Sequence, residues 1–294
     1  MGQHKVFAGL NKEFTAWDTA RVAVLPVPYD KTSTWIKGAD KGPFAILGAS
    51  GALEFYDIET DSEVYLQGIH TCFPLVPNRK PEKMVREIKE KVGELIGSGK
   101  FIVILGGEHS VSIGSIEAFY DKFEDLSVLQ LDAHSDLRDE YEGSKYNHAC
   151  VAARIKEICP VVQVGIRSMS VEEKDKIVPG NIFYAKDIVA RREARGERRE
   201  DWVDEVISRL SDNVYVTIDL DVFDPAVMPS TGTPEPGGLS WYDVTGLLRK
   251  VAEKKNIVGF DCVELCPNKM NKAPDFLAAK LVYKFLSYIF KARE

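Results

Sequence analysis

The stretch "SVLQLDAHSDLRDEY" (127–141) runs apolar and then sets three ligand-type side chains at alternate positions: Asp132, His134 and Asp136. In an extended segment, residues i, i+2 and i+4 share one face. If the strand stays extended through them, these three side chains converge. Working outward, similar apolar runs recur along the chain: "RVAVLPVPY" (21–29), "KFIVILGG" (100–107), "LSVLQLDAH" (126–134), "PVVQVGIR" (160–167), "NIFYA" (181–185), "NVYVTIDLDVF" (213–223) and "NIVGFDCVEL" (256–265). Several are apolar on consecutive residues, the mark of strands buried on both faces of a parallel sheet. Helical patterns lie between them. "PEKMVREIKEKVGELIGSG" (81–99) opens on Pro and closes on Gly, with Met84, Val85, Ile88, Val92, Leu95 and Ile96 on one stripe. "DWVDEVISRLSD" (201–212) and "WYDVTGLLRKVAEKK" (241–255) are similar helix candidates by their apolar spacing, and "APDFLAAKLVYKFLSYIFKARE" (273–294) reads as a long amphipathic helix. This β–α alternation predicts one α/β domain spanning 1–294, three layers α/β/α around a mainly parallel sheet.

Bulk composition narrows the function. The 294 residues are 45% apolar, ample for a large core, and the net charge of −7 argues against a nucleic-acid partner. No run of 18 apolar residues exists to cross a membrane, and "MGQHKVFAGLNKEF" has neither a signal-peptide core nor Ser or Thr at position 6 for myristoylation. Cys72, Cys150, Cys159, Cys262 and Cys266 make an odd number without CxxC spacing, which reads as reduced thiols in a cytoplasmic protein. The charge block "RREARGERRE" (191–200) reads as a solvated face, with a subunit contact as the other option.

In open α/β sheets, ligands bind beyond the carboxyl ends of the strands. After "FIVIL" comes "GGEHS", with Glu108 and His109; after "LQL" come Asp132, His134 and Asp136; after "VYVTI" come Asp219 and Asp221; after "IVGF" come Asp261 and Glu264. The Gly106–Gly107 pair would permit a turn of unusual φ before His109. Four Asp carboxylates gathered in one crevice repel one another and lose solvation, which two divalent cations would offset. Four Asp and two His exceed the three protein ligands of a catalytic zinc and suit two metals about 3.5–4 Å apart. Oxygen-rich ligation without thiolate favours Mn²⁺ over Zn²⁺. The bland alternative is that some of these acids cap turns or pair with Lys or Arg.

At this point the residues resemble a family. "GGEHS" (106–110), "LDAHSDLRDEYEG" (131–143), "NHA" (147–149) and "TIDLDVFDPAVMPSTGTPEPGGLSW" (217–241) are similar to the motifs of ureohydrolases, the arginases and agmatinases. "VPYDKTSTWIKGADKGPFAIL" (27–47), "GIRS" (165–168) and "GFDCVELCP" (259–267) extend the likeness over most of the chain. The resemblance implies an arginase-like fold around an eight-stranded parallel sheet, two Mn²⁺ per chain, hydrolysis of a guanidino group to urea, and a homo-oligomer, trimer or hexamer. By motif position it makes His109, Asp132, His134, Asp136, Asp219 and Asp221 the metal ligands. It makes His148 a proton shuttle, Asp136 the carrier of a proton toward the leaving amine, and Glu264 the acid facing the guanidinium. Two departures bear on loop shape: Ala149 stands where the family usually has Gly, and Pro229-Ser230 where it usually has Pro-Gly.

The substrate implied is a small cationic guanidine. The loop "LRDEYEGSKYN" (137–147) is acidic at Asp139, Glu140 and Glu142, which would repel an α-carboxylate and accept an ammonium. Agmatine is a dication at pH 7 by Arg-like and Lys-like pKa values of roughly 13 and 10, so agmatine, giving putrescine and urea, is expected. Aminopropyl-agmatine, arginine, guanidinobutyrate and formiminoglutamate are the alternatives. A single-zinc deacetylase of related fold would not need His109, Asp136 and Asp221 together, and a non-catalytic regulator would have lost ligands.

Overall fold

A computed structural model describes residues 5–193 and 201–294. Eight strands form one sheet: β1 (Val22–Val27), β2 (Ile69–Thr71), β3 (Phe101–Gly106), β4 (Leu126–Leu131), β5 (Val161–Ile166), β6 (Ile182–Tyr184), β7 (Asn213–Asp219) and β8 (Asn256–Val263). The helices are α1 (Lys12–Thr15), α2 (Gly42–Ser50), α3 (Pro81–Gly97), α4 (Val111–Tyr120), α5 (Val151–Ile155), α6 (Ala185–Glu193), α7 (Asp201–Ser208), α8 (Trp241–Lys254) and α9 (Ala273–Lys291). The strand order is β2-β1-β3-β8-β7-β4-β5-β6, and every pairing is parallel. The expected three-layer α/β/α architecture with a parallel eight-stranded sheet is therefore the one observed.

Strand alternation divides the core in two. Ala23, Leu25, Ile102, Ile104 and Val128 face α3, α4 and α5, meeting Met84, Ile88, Ile116 and Val151. Val22, Val24, Val103, Leu129, Val216 and Phe260 face the other way, toward Ile46, Val206, Leu247, Val251, Leu281 and Phe285 of α2, α7, α8 and α9. Both faces of every central strand are thus covered, which is why these runs read as apolar on consecutive residues. Each of the seven expected strand segments contains a strand. The eighth, β2, is three residues long and left no periodic trace. The charge block 191–200 lies for the most part outside the described residues. Among the described residues no helix is long and apolar enough to cross a membrane.

The topology fixes where a site can form. β3 and β4 are consecutive in sequence yet separated in the sheet by β8 and β7. Beyond the carboxyl ends of these four central strands, helices leave to opposite faces and open a crevice.

Candidate metal centre

Each central strand delivers its residues differently. β3 ends at Gly106, and the chain then passes close under the turn at Tyr29. A Cβ on Gly107 would sit 1.8 Å from the Tyr29 carbonyl oxygen, while Glu108 N–H donates to that same oxygen at 2.8 Å. Gly107 is therefore needed for close backbone approach. Neither Gly106 nor Gly107 has a positive φ, so the unusual-φ turn expected here is not present.

At β4 the expected extension holds only in part. The strand ends at Leu131, and a bridge from His134 to Ser168 keeps the next residues extended. Asp136 departs from it, with a φ of +50°. A non-glycine residue in this region costs about 1–2 kcal/mol. The kink is what turns its carboxylate back toward His109. β7 likewise ends at Asp219, and Asp221 is presented from the 3-10 turn Leu220–Val222, with Asp219 Oδ1 accepting from Asp221 N–H at 2.9 Å. At the end of β8, Glu264 also has a positive φ of +65°. Asp261 does not reach the crevice: it is buried within β8, where Tyr215 Oη donates to it at 2.8 Å and Thr217 Oγ1 at 2.7 Å.

The six sequence-predicted ligands come together in two groups that share Asp132. His109 Nδ1 lies 3.1 Å from Asp132 Oδ2, 3.2 Å from Asp136 Oδ2 and 3.3 Å from Asp219 Oδ2. His134 Nδ1 lies 2.9 Å from Asp221 Oδ2 and 3.7 Å from Asp132 Oδ1. Two sets, His109–Asp132–Asp219 and Asp132–His134–Asp221, each offer three donor atoms within 4.8 Å of one another.

The hydrogen bonds behind the cluster test whether cations fit. Thr217 Oγ1 gives its hydrogen to Asp261, so it accepts from His109 Nε2–H at 2.9 Å. That leaves the Nδ1 lone pair aimed at three carboxylates, and Nδ1 is buried with no hydrogen-bond partner. A lone pair and three carboxylates facing one another repel unless a cation lies among them. Asp132 is held by Gln130 Nε2 at 2.7 Å and by the His134 N–H at 2.6 Å, and Asp221 Oδ1 by Ala133 N–H at 2.9 Å. The remaining carboxylate oxygens are left to face the crevice, and the donor set fits two oxygen-preferring divalent cations.

Without cations the cluster holds protons instead. Burial disfavours the charged imidazolium of His109, but the carboxylates of Asp132, Asp136 and Asp219 close around Nδ1 outweigh it and push its pKa well up. Burial opposed by Asp221 and Asp132 leaves His134 pushed up to about 12. Burial, then the Asp132 charge, raises Asp136 to about 7. Burial, then Asp221 and Asp132, raises Asp219 well above the carboxylate range.

The three residues expected to act on substrate also line the crevice. A cavity of about 260 Å³ is bounded at its floor by His109, Asp136, Asp219, Asp221 and Glu264, at its side by His148 and Tyr141, and toward solvent by Trp35, which is 76% exposed. Glu264 Oε1 accepts from His109 N–H at 2.7 Å. Burial, then the charge of Glu108, raises the Glu264 carboxyl well above its ordinary value. His148 begins a 3-10 turn capped by Asn147, whose Oδ1 accepts from Ala149 N–H at 3.1 Å. Ala149 has no positive φ, so replacing the family's usual Gly introduces no strain. At the other departure, the Ser230 carbonyl accepts from Cys266 N–H at 2.8 Å.

The acidic loop is placed differently from expectation. Of residues 137–147, Arg138 and Tyr141 line the cavity; Asp139, Glu140 and Glu142 do not. Asp139 is 71% exposed and pairs with Lys176 at 2.6 Å. The Arg138 guanidinium lies 4.7 Å over the Tyr141 ring and 3.9 Å from Glu173. Thr32, Thr217 and Arg138 are site-shaping residues that the sequence reading missed. Thr32 and Thr217 stood inside quoted motifs but carry no charge to single them out.

A family model described as the arginase family matches residues 20–287. An N(1)-aminopropylagmatine ureohydrolase from Synechocystis sp. is 38% identical, covering 95% of this chain and 92% of its own. Another, from Thermus thermophilus, is 40% identical over 92% of this chain and 90% of its own. Among solved structures, the agmatine ureohydrolase of Thermoplasma volcanium superposes with a TM-score of 0.84 at 30% identity, covering 99% of this chain and 96% of that one.

Proposed function

Because this chain belongs to the arginase family, we propose that its crevice hydrolyses the guanidino group of a linear, amine-terminated guanidine, releasing urea and a polyamine. N1-aminopropylagmatine is the substrate we favour and agmatine, which would give putrescine, the second. The observation that carries the reaction class is the pair of ligand groups sharing Asp132 beneath a cavity walled by His148 and Glu264. The preference for the longer substrate is supported by the two relatives named for it, and by Trp35 at the rim, whose indole face can hold an ammonium.

The charge argument for agmatine from the acidic loop lacks support, since none of its three acids lines the cavity. The full proposal includes a single ureohydrolase domain over 1–294, two Mn²⁺ per chain, a cytoplasmic setting supported by five unpaired cysteines, and a homo-oligomer, trimer or hexamer.

His109, Asp132, Asp136 and Asp219 would hold one cation and Asp132, His134, Asp219 and Asp221 the other. Two such cations, when bound, supply a nucleophilic water near neutral pH. The remaining work belongs to the chain. Glu264, raised by burial, gains its negative charge back when a guanidinium docks, and its charge-assisted hydrogen bonds turn the guanidinium carbon toward the floor. The water oxygen adds to that carbon, the carbon–amine bond breaks, and Asp136 passes the proton that the leaving amine needs. His148 exchanges protons with solvent. In the cation-free site burial, then the nearby protonated His134 and His109, lowers it to about 4, so it is neutral at neutral pH.

Urea release across a guanidine panel with added Mn²⁺ tests this. Turnover of aminopropylagmatine and agmatine is expected; urea from none of the panel would overturn the assignment.

A further inference from the structure

Behind His148 stands a buried pair that the proposed reaction does not use. Thr32 is 7% exposed and Glu108 fully buried, and Thr32 Oγ1 lies 2.9 Å from Glu108 Oε1. The Thr32 N–H also points at Glu108 Oε1, at 3.3 Å. The other donors to this carboxylate are Ser110 N–H to Oε2 and Ser110 Oγ to Oε1, each at 2.9 Å. On its far side, Thr32 Oγ1 accepts from the His148 backbone N–H at 3.0 Å and lies 3.3 Å from His148 Nδ1.

A hydroxyl has one hydrogen to give. It can go to Glu108 at 2.9 Å or to His148 Nδ1 at 3.3 Å. The carboxylate is nearer and the stronger acceptor. Thr32 therefore gives its hydrogen to Glu108 and offers its oxygen to His148, which must meet it with Nδ1–H. Which ring nitrogen carries the proton is set by the hydrogen bonds the ring makes. With Nδ1 protonated, the Nε2 lone pair is the one free to take a proton from the cavity.

From this we propose that Thr32, aligned by Glu108, is the positioning residue that fixes the tautomer and ring orientation of His148. Thr32 touches neither substrate nor the candidate ligands; it acts through the histidine. The inference rests on the shuttle role proposed for His148.

A double-mutant cycle with Thr32→Val, Thr32→Ser and His148→Asn separates the possibilities. In wild-type background Thr32→Val keeps the shape of threonine, removes the hydroxyl and is expected to lower kcat about 10-fold, part of the ~10²–10⁴-fold that positioned proton transfer supplies. Thr32→Ser is expected to recover most of that. In the His148→Asn background Thr32→Val should cost nothing further, because its target is gone. Equal losses in both backgrounds would show a merely structural role and overturn the proposal.

A readout without turnover accompanies it. With ¹⁵N-labelled histidine, of which the chain has five, the His148 signal is assigned by its loss in His148→Asn. Protonated Nδ1 and unprotonated Nε2 are expected in the wild type, with a mixture of tautomers in Thr32→Val. The opposite tautomer in the wild type would refute the inference whatever the activity. If His148→Asn alone turns over at the full rate, the shuttle reading fails instead, and the tautomer spectrum still decides what Thr32 does.

Discussion

Thr217 Oγ1 stands 2.9 Å from His109 Nε2 on the side of the imidazole away from the candidate ligands. Because Thr217 donates to Asp261, it can only accept from the ring, which leaves His109 Nδ1 bare for a cation. Removing the hydroxyl frees the ring to rotate and to protonate at either nitrogen. Groups of this kind are typically worth ~10–100-fold in metal affinity. Thr217→Val is therefore expected to weaken Mn²⁺ binding by about that factor while the circular-dichroism spectrum stays native. Affinity unchanged by calorimetry would mean that His109 is held by packing alone.

Asp132 lies in both ligand groups, through Oδ2 toward His109 and Oδ1 toward His134, and Asp219 is the second carboxylate proposed to serve both cations. The two groups should therefore respond differently to substitution. Asp132→Ala is expected to abolish tight binding of both ions and reduce urea release by ~10³-fold or more. His134→Asn, which touches one group, should leave about one ion tightly bound per chain by elemental analysis. Retention of two ions in Asp132→Ala would exclude Asp132 as a shared ligand.

Proton linkage gives a third outcome with a definite sign. In the cation-free cluster the pKa values of His109, His134, Asp136 and Asp219 are all raised, so at neutral pH these groups hold protons that free His and Asp would have released in part or whole. Cations require deprotonated ligands. Binding must therefore expel protons, and affinity must fall on acidification. The fall should steepen below about 7, where Asp136 takes up its own proton. Calorimetry at pH 7 in buffers of different ionisation enthalpy is expected to show net proton release, with affinity falling as the pH is lowered. Proton-neutral binding would contradict the placement of the carboxylates around His109.

The fold and the convergence of the candidate ligands were legible for a simple reason: strands buried on both faces leave unbroken apolar runs, and the residues just beyond each run are the ones the crevice receives. The route by which ligands converge was not legible. Alternation suggested extension through Asp136, whereas a positive φ turns it inward, and no residue type announces that strain at an aspartate. Gly107 was noticed for the wrong property; its missing side chain makes room for Tyr29, a contact 78 residues distant in sequence. Helix α4 escaped because it is buried almost all round and has no polar face to set a period. Thr32 and Thr217 are neutral hydroxyls whose importance lies in direction, which only coordinates reveal. The acidic loop misled because charge in a sequence does not say which way a side chain points.

Substrate choice depends on that last point. Asp139 is exposed and paired with Lys176, and Glu140 and Glu142 lie off the cavity wall. Exposed charges at such sites are screened and contribute ~1 kcal/mol or less. The combined change Asp139→Asn, Glu140→Gln, Glu142→Gln is thus expected to alter kcat/KM for aminopropylagmatine and agmatine by less than about 5-fold. Arg138 is the charged residue of this loop that does line the cavity; it pairs with Glu173 at 3.9 Å and lies 4.7 Å over the Tyr141 ring. If the cavity takes amine-terminated chains, Arg138→Gln removes a repulsive cation and should raise, or leave unchanged, kcat/KM for both amines. If instead Arg138 receives a carboxylate, as guanidinobutyrate or arginine would present, the same change should lower kcat/KM for those acids by ~10-fold or more, the scale of one charge-assisted hydrogen bond. The panel therefore has opposite signs for the two substrate classes. Faster wild-type turnover of a carboxylate-bearing guanidine, lost in Arg138→Gln, would replace the polyamine reading while leaving urea release and the metal centre intact.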